Sequence, residues 1–321
     1  MTSTWFEQIH LSCNDHASSA LTVTWFMPGG EDCKLLYRGQ GETSWRVEQG
    51  FWMRVDALRT IRRATMRQLQ PDSCYEYQLA ISEAQALTDR RSAIYRAHTG
   101  PAGALEGTLG FCWGMPTGAT QNALLAANPR LLLGGGWFAP PPPPDKFETM
   151  AYAQGVDGWF NAMQPMLRRV PLFSQFGWDE CYPPASWRQW ESRLAQPIGP
   201  EGKRYGALDL GDLHMVGMPT PRQEKDVRAL DWLDRDLARA QLRGARRSLI
   251  FGCAPLGEAD GPYRHRLSEI VQRHGVEMIL CWGARGLESA SLGDCPVVVC
   301  GAGPYALLRV KPETEIEVEL G

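Results

Sequence analysis

Few side chains in this sequence could do chemistry together, and the clearest group combines three cysteines with two acids. Cys112, Cys253 and Cys281 lie in or directly after short apolar runs, and Asp179 and Glu180 are adjacent. Thiolates and carboxylates could together hold a soft metal ion. Unpaired cysteine is also among the most often buried residues, so cysteines on strands are more simply explained as core. The sequence leaves both interpretations open.

Other reactive arrangements are missing from the sequence. It has no Gly-x-Ser-x-Gly motif for a serine nucleophile, and the glycine run at 134–136 is not followed by a helix that could bind phosphate. We expect His214 to make a satisfied structural hydrogen bond. Arg285 could attract an anion, although an ion pair with Glu288 or another acid is the simpler role.

The elements that must position these side chains divide the chain into two parts. Residues 1–99 contain short alternating segments such as Leu21–Phe26, separated by turn residues, which predicts an all-β sandwich. Residues 100–106 have the composition of a linker. Over residues 107–321, short apolar runs alternate with helical periodicity, as in Val227–Arg243, which predicts an α/β sandwich.

The composition excludes several classes of protein. The 321 residues carry 33 Lys and Arg against 36 Asp and Glu, which argues against a dedicated nucleic-acid or membrane-surface protein. No apolar stretch approaches the ~20 residues of a membrane span. The nine cysteines contain no Cys-x-x-Cys pair, and the first residues lack the apolar segment of a signal peptide. We therefore expect reduced thiols and an intracellular location.

Segments in both parts resemble known families, in matching order and spacing. Residues 69–77 fit the pattern L-x-P-x-x-x-Y-x-Y of fibronectin type III domains, and residues 205–217 resemble the hairpin Y-S-F-D-x-G-x-x-H-F-V-x-L of purple acid phosphatases. Residues 121–127, 170–177 and 231–237 resemble further framework segments of these calcineurin-like metallophosphoesterases. The resemblance implies a fibronectin type III-like sandwich followed by an αββα sandwich of the metallophosphoesterase type.

The metal-binding motifs of that family are altered in this sequence. The resemblance implies two metal ions held by carboxylates, imidazoles, an amide and a phenolate, as two-metal hydrolysis of phosphate esters requires. Carboxylate, amide and phenolate positions correspond to Met115, Trp137, Trp178 and Pro140. Histidine positions correspond to Asp179, Cys253, Gly283 and Arg285.

The loss of ligands does not depend on the register of this comparison. Residues 107–144, 239–255 and 278–287 contain no Asp, Glu or His. We therefore expect no metal and no other cofactor. Because ligands without a metal would leave buried charge unpaired, we expect Met115, Trp137 and Trp178 to form an apolar plug in the vacated site. Ordinary core residues in a different loop arrangement are the alternative.

These departures predict a catalytically inactive protein, a structural or protein-interaction subunit of a larger assembly, whose partners are other proteins and not nucleic acid or membrane. A polyproline strip is the candidate interaction segment, with mere stiffening of the loop as the alternative. It consists of Pro140, Pro141, Pro142, Pro143 and Pro144. Two other functions stay open: a phosphoesterase with an altered site at Asp179, Glu180 and Cys253, and a phospho-ligand sensor using Arg285.

Overall fold

The computed structural model describes most of the chain as strands and helices joined by short segments. The described residues are 5–14, 16–27, 32–54, 60–81, 90–114, 116–134, 149–175, 192–197, 205–218, 227–252, 261–282, 288–300, 305–312 and 316–321.

Strands outnumber helices in these ranges. The strands of the first part are β1 (Glu7–Ser12), β2 (Leu21–Phe26), β3 (Cys33–Gly39), β4 (Arg46–Gln49), β5 (Phe51–Arg54), β6 (Thr60–Met66), β7 (Cys74–Ile81), β8 (Arg90–Arg91) and β9 (Tyr95–His98). Those of the second part are β10 (Gly107–Cys112), β11 (Leu131–Gly134), β12 (Leu172–Ser174), β13 (Gly206–Leu210), β14 (Leu213–Met218), β15 (Arg247–Gly252), β16 (Met278–Trp282), β17 (Glu288–Leu292), β18 (Cys295–Cys300), β19 (Tyr305–Val310) and β20 (Glu317–Leu320). The helices are α1 (Gly118–Ala127), α2 (Thr149–Leu167), α3 (Val227–Arg243) and α4 (Gly261–His274).

Residues 5–98 form two β-sheet layers around a shared core. Strands β1, β2, β6 and β5 lie side by side, and β4, β3, β7 and β8 form a separate sheet with β9 also paired to β7. Trp25 from the first layer and Tyr77 from the second are fully buried in the same cluster. The predicted strand Leu21–Phe26 is confirmed, and Tyr75 and Tyr77 both lie on the buried face of β7 as alternation requires.

The second part consists of two mixed sheets between helices. Parallel strands β10, β11 and β12 form one sheet, and parallel strands β14, β15, β16 and β18 form the other. One apolar cluster fills the space between the sheets, a second lies between the first sheet and α1 and α2, and a third lies between the second sheet and α3 and α4. This is the layered α/β arrangement that the sequence predicts.

The helices follow from local sequence signals. In α1, the Thr117 side chain caps the first turn by accepting from the Thr120 amide at 3.2 Å, and Asn128 ends the helix in a left-handed conformation with φ 47°. In α3, the buried residues recur at helical spacing on one face. They are Ala229, Leu230, Leu233, Leu237 and Ala240.

One sheet runs through both parts of the chain. Strand β1 pairs in parallel with β12, which gives a nine-stranded sheet in the order β20, β19, β10, β11, β12, β1, β2, β6, β5. The Ile9 amide also donates to Oε1 of Gln164 in α2 at 2.8 Å. The first strands are therefore packed directly on the second part, while the division into residues 1–99 and 107–321 stays a prediction.

A short buried segment, residues 192–197, fastens this junction. The carbonyl of Ser192 accepts from Nη2 of Arg63 at 2.8 Å, and the carbonyl of Arg193 contacts the His10 ring at 2.7 Å. The Arg193 side chain is only 1% exposed and pairs with Asp157 of α2 at 2.5 Å. The segment thus ties strands of the first part to a helix of the second through buried polar contacts.

Among the helices in the described ranges, none combines the length and the apolar character needed to cross a bilayer.

We predict that the Arg193–Asp157 ion pair stabilises the fold measurably. Asp157→Asn would leave a buried guanidinium with a neutral partner, and the free energy of unfolding should fall by about 2 kcal/mol. Asp72→Asn is the matched control, because Asp72 pairs with Arg130 at 2.9 Å and is 58% exposed. The free energy of unfolding of Asp72→Asn, measured with urea, should lie within about 1 kcal/mol of the wild-type value. If both substitutions lowered the free energy of unfolding equally, the prediction that the Arg193–Asp157 ion pair stabilises the fold would be contradicted.

Candidate functional site

In each of the two sheets, the parallel strands end at aligned positions. The edge formed by these carboxyl ends is where open α/β sheets bind ligands. In the first sheet, Cys112 is opposite Gly134, and Gly134 is opposite Ser174. In the second sheet, Met218 is opposite Gly252. Because every one of these residues is the last or second-last of its strand, each sheet presents one continuous carboxyl edge.

The two carboxyl edges meet. Phe173 of β12 packs edge-on against Phe251 of β15, with 5.2 Å between the ring centres. Two residues after Phe173, the Gln175 side chain lies so close to Gly217 that a Cβ at position 217 would be 2.7 Å from Oε1 of Gln175. Loops that leave the two edges therefore start beside one another, as a shared site would need.

Backbone groups of Ser174 and Gly114 at this edge are hydrogen-bonded to side chains of the protein. The Ser174 amide donates to Oε1 of Gln196 at 2.9 Å, and Nε2 of Gln196 donates to the Ser174 carbonyl at 2.7 Å. Nε1 of Trp159 donates to the Gly114 carbonyl at 3.0 Å. Neutral amide and indole groups thus hold the ends of β10 and β12.

The strand cysteines do not form a common site. Cys112 belongs to the apolar cluster beside α1 and α2, whereas Cys281 belongs to the cluster beside α3 and α4, on the far side of both sheets. Burial raises the pKa of Cys112 to about 12, so this thiol stays protonated. The sequence hypothesis of a soft-metal site that includes both cysteines is therefore wrong, and both are core residues.

The predicted site residues lie outside the described residues, in the sequence segments that follow these strands. Met115 comes three residues after the end of β10, Trp137 three after β11 and Trp178 four after β12. Cys253 and Gly283 directly follow β15 and β16. The remaining positions outside the description are Pro140, Pro141, Pro142, Pro143, Pro144, Asp179, Glu180 and Arg285. Whether Met115, Trp137 and Trp178 form a plug stays a prediction.

Within the described ranges, which omit these loops, no three His, Cys, Asp or Glu side chains are close enough together to hold a metal ion.

His214 lies at the opposite end of the second sheet, at the start of β14. Its Nδ1 is 2.5 Å from Oδ1 of Asp209, and its Nε2 is 2.9 Å from Oδ2 of Asp236 in α3. Burial alone lowers the pKa of His214, but the hydrogen bonds to the two carboxylates outweigh burial and raise it. With a carboxylate accepting from each ring nitrogen, the protonated ring holds α3 against the sheet.

Comparisons with known proteins identify the architecture. No family model matches the chain, and no curated protein matches it in sequence. A purple acid phosphatase isolated from yellow lupin (Lupinus luteus) seeds matches in structure with a TM-score of 0.74 at 13% identity, over 97% of this chain and 68% of the other. The chain has a metallophosphoesterase fold.

Two further likenesses are partial. The anchor protein GAP50 of the Plasmodium inner membrane complex gives a TM-score of 0.44 at 11% identity, over 67% of this chain and 84% of the other. A chain described as a 5'-nucleotidase from Staphylococcus aureus gives a TM-score of 0.41 at 11% identity, over 66% of this chain and 53% of the other. These two TM-scores are too low to support a conclusion about the fold of this chain.

The His214 network predicts a pH dependence of stability. A histidine whose pKa is raised by folding contributes stability that is fully present below its ordinary pKa near 6.5 and is lost as the pH rises through the folded value. His214→Gln should destabilise the protein by about 2 kcal/mol at pH 6, and the gap to wild type should narrow toward pH 9.

Urea unfolding at several pH values measures this gap. His265→Gln is the control, because His265 is 81% exposed and, among the described residues, pairs with Glu269 of its own helix. Its unfolding curve should follow wild type across the range. A gap between wild type and His214→Gln that stays constant with pH would show that His214 acts only by packing.

Proposed function

We propose that this chain is a non-catalytic relative of the purple acid phosphatases that serves as a structural or protein-interaction subunit. One observation carries the proposal: the residues that directly follow three strands at the shared carboxyl edge include no Asp, Glu or His. These are residues 113–117 after β10, 135–144 after β11 and 283–287 after β16, and the next carboxylates, Asp145 and Glu148, come just before α2.

The other loops offer few replacements. After β12 the sequence provides Asp179 and Glu180, and the loop after β15 begins with Cys253 and reaches Glu258 and Asp260 only just before α4. Two divalent cations a few Å apart need several anionic or imidazole ligands to offset their repulsion and dehydration. None of these carboxylates stands where the resemblance implies a carboxylate, amide or phenolate ligand, because those positions hold Met115, Trp137, Pro140 and Trp178.

Tryptophan and methionine at the altered positions favour a filled site. A vacated metal site would leave a polar cavity, and large apolar side chains at Met115, Trp137 and Trp178 would close it while removing unpaired charge. The same substitutions would keep the two sheets packed without a metal. This is the expected result if the fold is retained for stability and shape and not for catalysis.

The first part of the chain supports the same proposal. We propose that it is a fibronectin type III-like sandwich. The hydroxyl of Tyr75, at the start of β7, accepts from the Gln70 amide at 2.7 Å, the corner contact typical of immunoglobulin-like sandwiches. Together with the buried junction at residues 192–197, it would give a rigid two-part body suited to holding partners. The proline strip 140–144, which begins six residues after the end of β11, is one proposed point of contact.

Elemental analysis and an activity assay test the proposal together. Purified protein should contain far less than one equivalent of iron, zinc or manganese per chain, and should not hydrolyse an aryl phosphate above the rate of buffer. Asp179→Ala should change neither result. Stoichiometric metal, or turnover that Asp179→Ala abolishes, would contradict the proposal and favour the altered phosphoesterase.

A further inference from the structure

Three of the six large hydrophobic side chains that are exposed in the described part of the chain lie within six consecutive residues. They are Val47, which is 55% exposed, Phe51, which is 54% exposed, and Trp52, which is 66% exposed. Val47 belongs to β4, and the two aromatic residues belong to β5. Single exposed hydrophobic residues are ordinary on protein surfaces, but a cluster of them marks a contact surface. We call residues 46–53 the sandwich edge.

The sandwich edge consists of two strands, each of which is the last in its sheet. Strand β4 ends the sheet that contains β3 and β7, and β5 ends the nine-stranded sheet. The chain crosses from one layer to the other at Gly50, whose amide donates to the Cys33 carbonyl at 2.8 Å. Among the described strands, β5 therefore has a neighbour, β6, on one side only. Its other side offers backbone donors and acceptors to a further strand.

Trp52 is on the inner face of its layer and yet is not covered. Strand pairing places Trp52 opposite Arg62 and Arg62 opposite Trp25, so the three side chains are on one face. Trp25 is fully buried between the two layers, whereas Trp52 is mostly exposed. The second layer thus ends before it reaches β5, and a strand added beside β5 would place new side chains next to Trp52.

The opposite end of the nine-stranded sheet is protected by charge, whereas β5 is not. Strand β20 carries Glu317 and Glu319, which are both exposed and pair with Lys311 and Arg309. Acidic side chains on an edge strand oppose its pairing with a second copy, because like charges would meet. Residues 51–53 of β5 are Phe, Trp and Met and carry no charge.

The order of the side chains on β5 makes the strand complementary to itself. If two copies of β5 pair in antiparallel fashion about Trp52, this residue is opposite Trp52 of the second copy, and Phe51 is opposite Met53 of the second copy. Directly opposite residues on one face are the contacts that stabilise a sheet. Both pairs are favourable, since aromatic rings attract one another and the methionine sulfur attracts an aromatic ring.

We propose that two copies of this chain associate through β5, which pairs antiparallel with β5 of the second copy. The two nine-stranded sheets would then form one continuous sheet across a two-fold axis. The contact would pair the outer backbone groups of β5 and bury much of Phe51 and Trp52. This inference concerns association, so it goes beyond the proposed function and does not depend on metal content or activity.

Analytical ultracentrifugation of the purified chain tests the association. Because β5 has only four residues, we expect a dissociation constant in the micromolar range, with wild type changing from monomer to dimer between about 1 and about 100 µM. Trp52→Lys would place two like charges opposite each other and should weaken dimerisation at least about tenfold. Trp52→Tyr should still form a dimer, because it keeps an aromatic pair at the axis.

Charge complementation tests whether the occupant of this edge is a second copy. Trp52→Glu alone should be as weak a dimer as Trp52→Lys. An equimolar mixture of the two variants should form mixed dimers about tenfold more tightly than either variant self-associates, because opposite charges then meet across the axis. Native mass spectrometry separates the mixed dimer from the two homodimers by mass.

Leu242→Lys supplies the matched control. Leu242 lies near the end of α3 and is 88% exposed, so this variant also replaces an exposed large hydrophobic residue by lysine. It should dimerise as wild type does. Thermal unfolding of all variants checks that they fold.

Three results would overturn the proposal: a wild type that stays monomeric at about 100 µM, dimerisation that Trp52→Lys leaves unchanged, or no gain in the mixture of Trp52→Lys and Trp52→Glu. The first would leave the edge for a strand of a different protein, and the second would place the dimer contact elsewhere. Metal or turnover would contradict the proposed function and leave this inference standing.

Discussion

The apolar layer between the two sheets of the second part is the contact on which the rest of the structure depends. Phe173 and Phe251 meet in that layer, each one residue before its strand ends, and the close approach of Gln175 to Gly217 follows directly from it. With the sheets held in this way, all parallel strands deliver their loops to one edge. That edge exists whether or not its loops carry metal ligands, because it is built by hydrophobic packing.

Polar contacts, by contrast, orient the parts around that layer. Arg193 and Asp157 fix α2 relative to the junction, and His214 fixes α3 to the second sheet through Asp236. Each is a charged group with little exposure whose partners are also charged, so loss of either partner is costly. Both contacts are made between protein side chains, as the proposed role of a rigid body in an assembly would require.

The sequence predicts the repetitive elements well and the junction poorly. Helix α3 has the predicted bounds, because its leucines recur at helical spacing and its other face is charged. The sequence pattern does not predict helix α2, because this helix contains Gly158 and Pro165 and is apolar around much of its circumference. The pairing of β1 with β12 joins residues 160 positions apart, as in Ser12 and Leu172, and no local pattern encodes it. For the site, the predicted residues follow the ends of β10, β11, β12, β15 and β16 in sequence but lie outside the described residues, so their arrangement stays a prediction.

The nine-stranded sheet has a consequence for how the chain folds during synthesis. The free edge of β1 has no neighbour until β12 has left the ribosome, and residues 192–197, which cover the same region, emerge later still. An unpaired strand edge is a template for aggregation. The free edge of β1 therefore stays unpaired until about 75 residues beyond residue 99 have been made, and a nascent chain stalled between the two parts would be a natural client for chaperones.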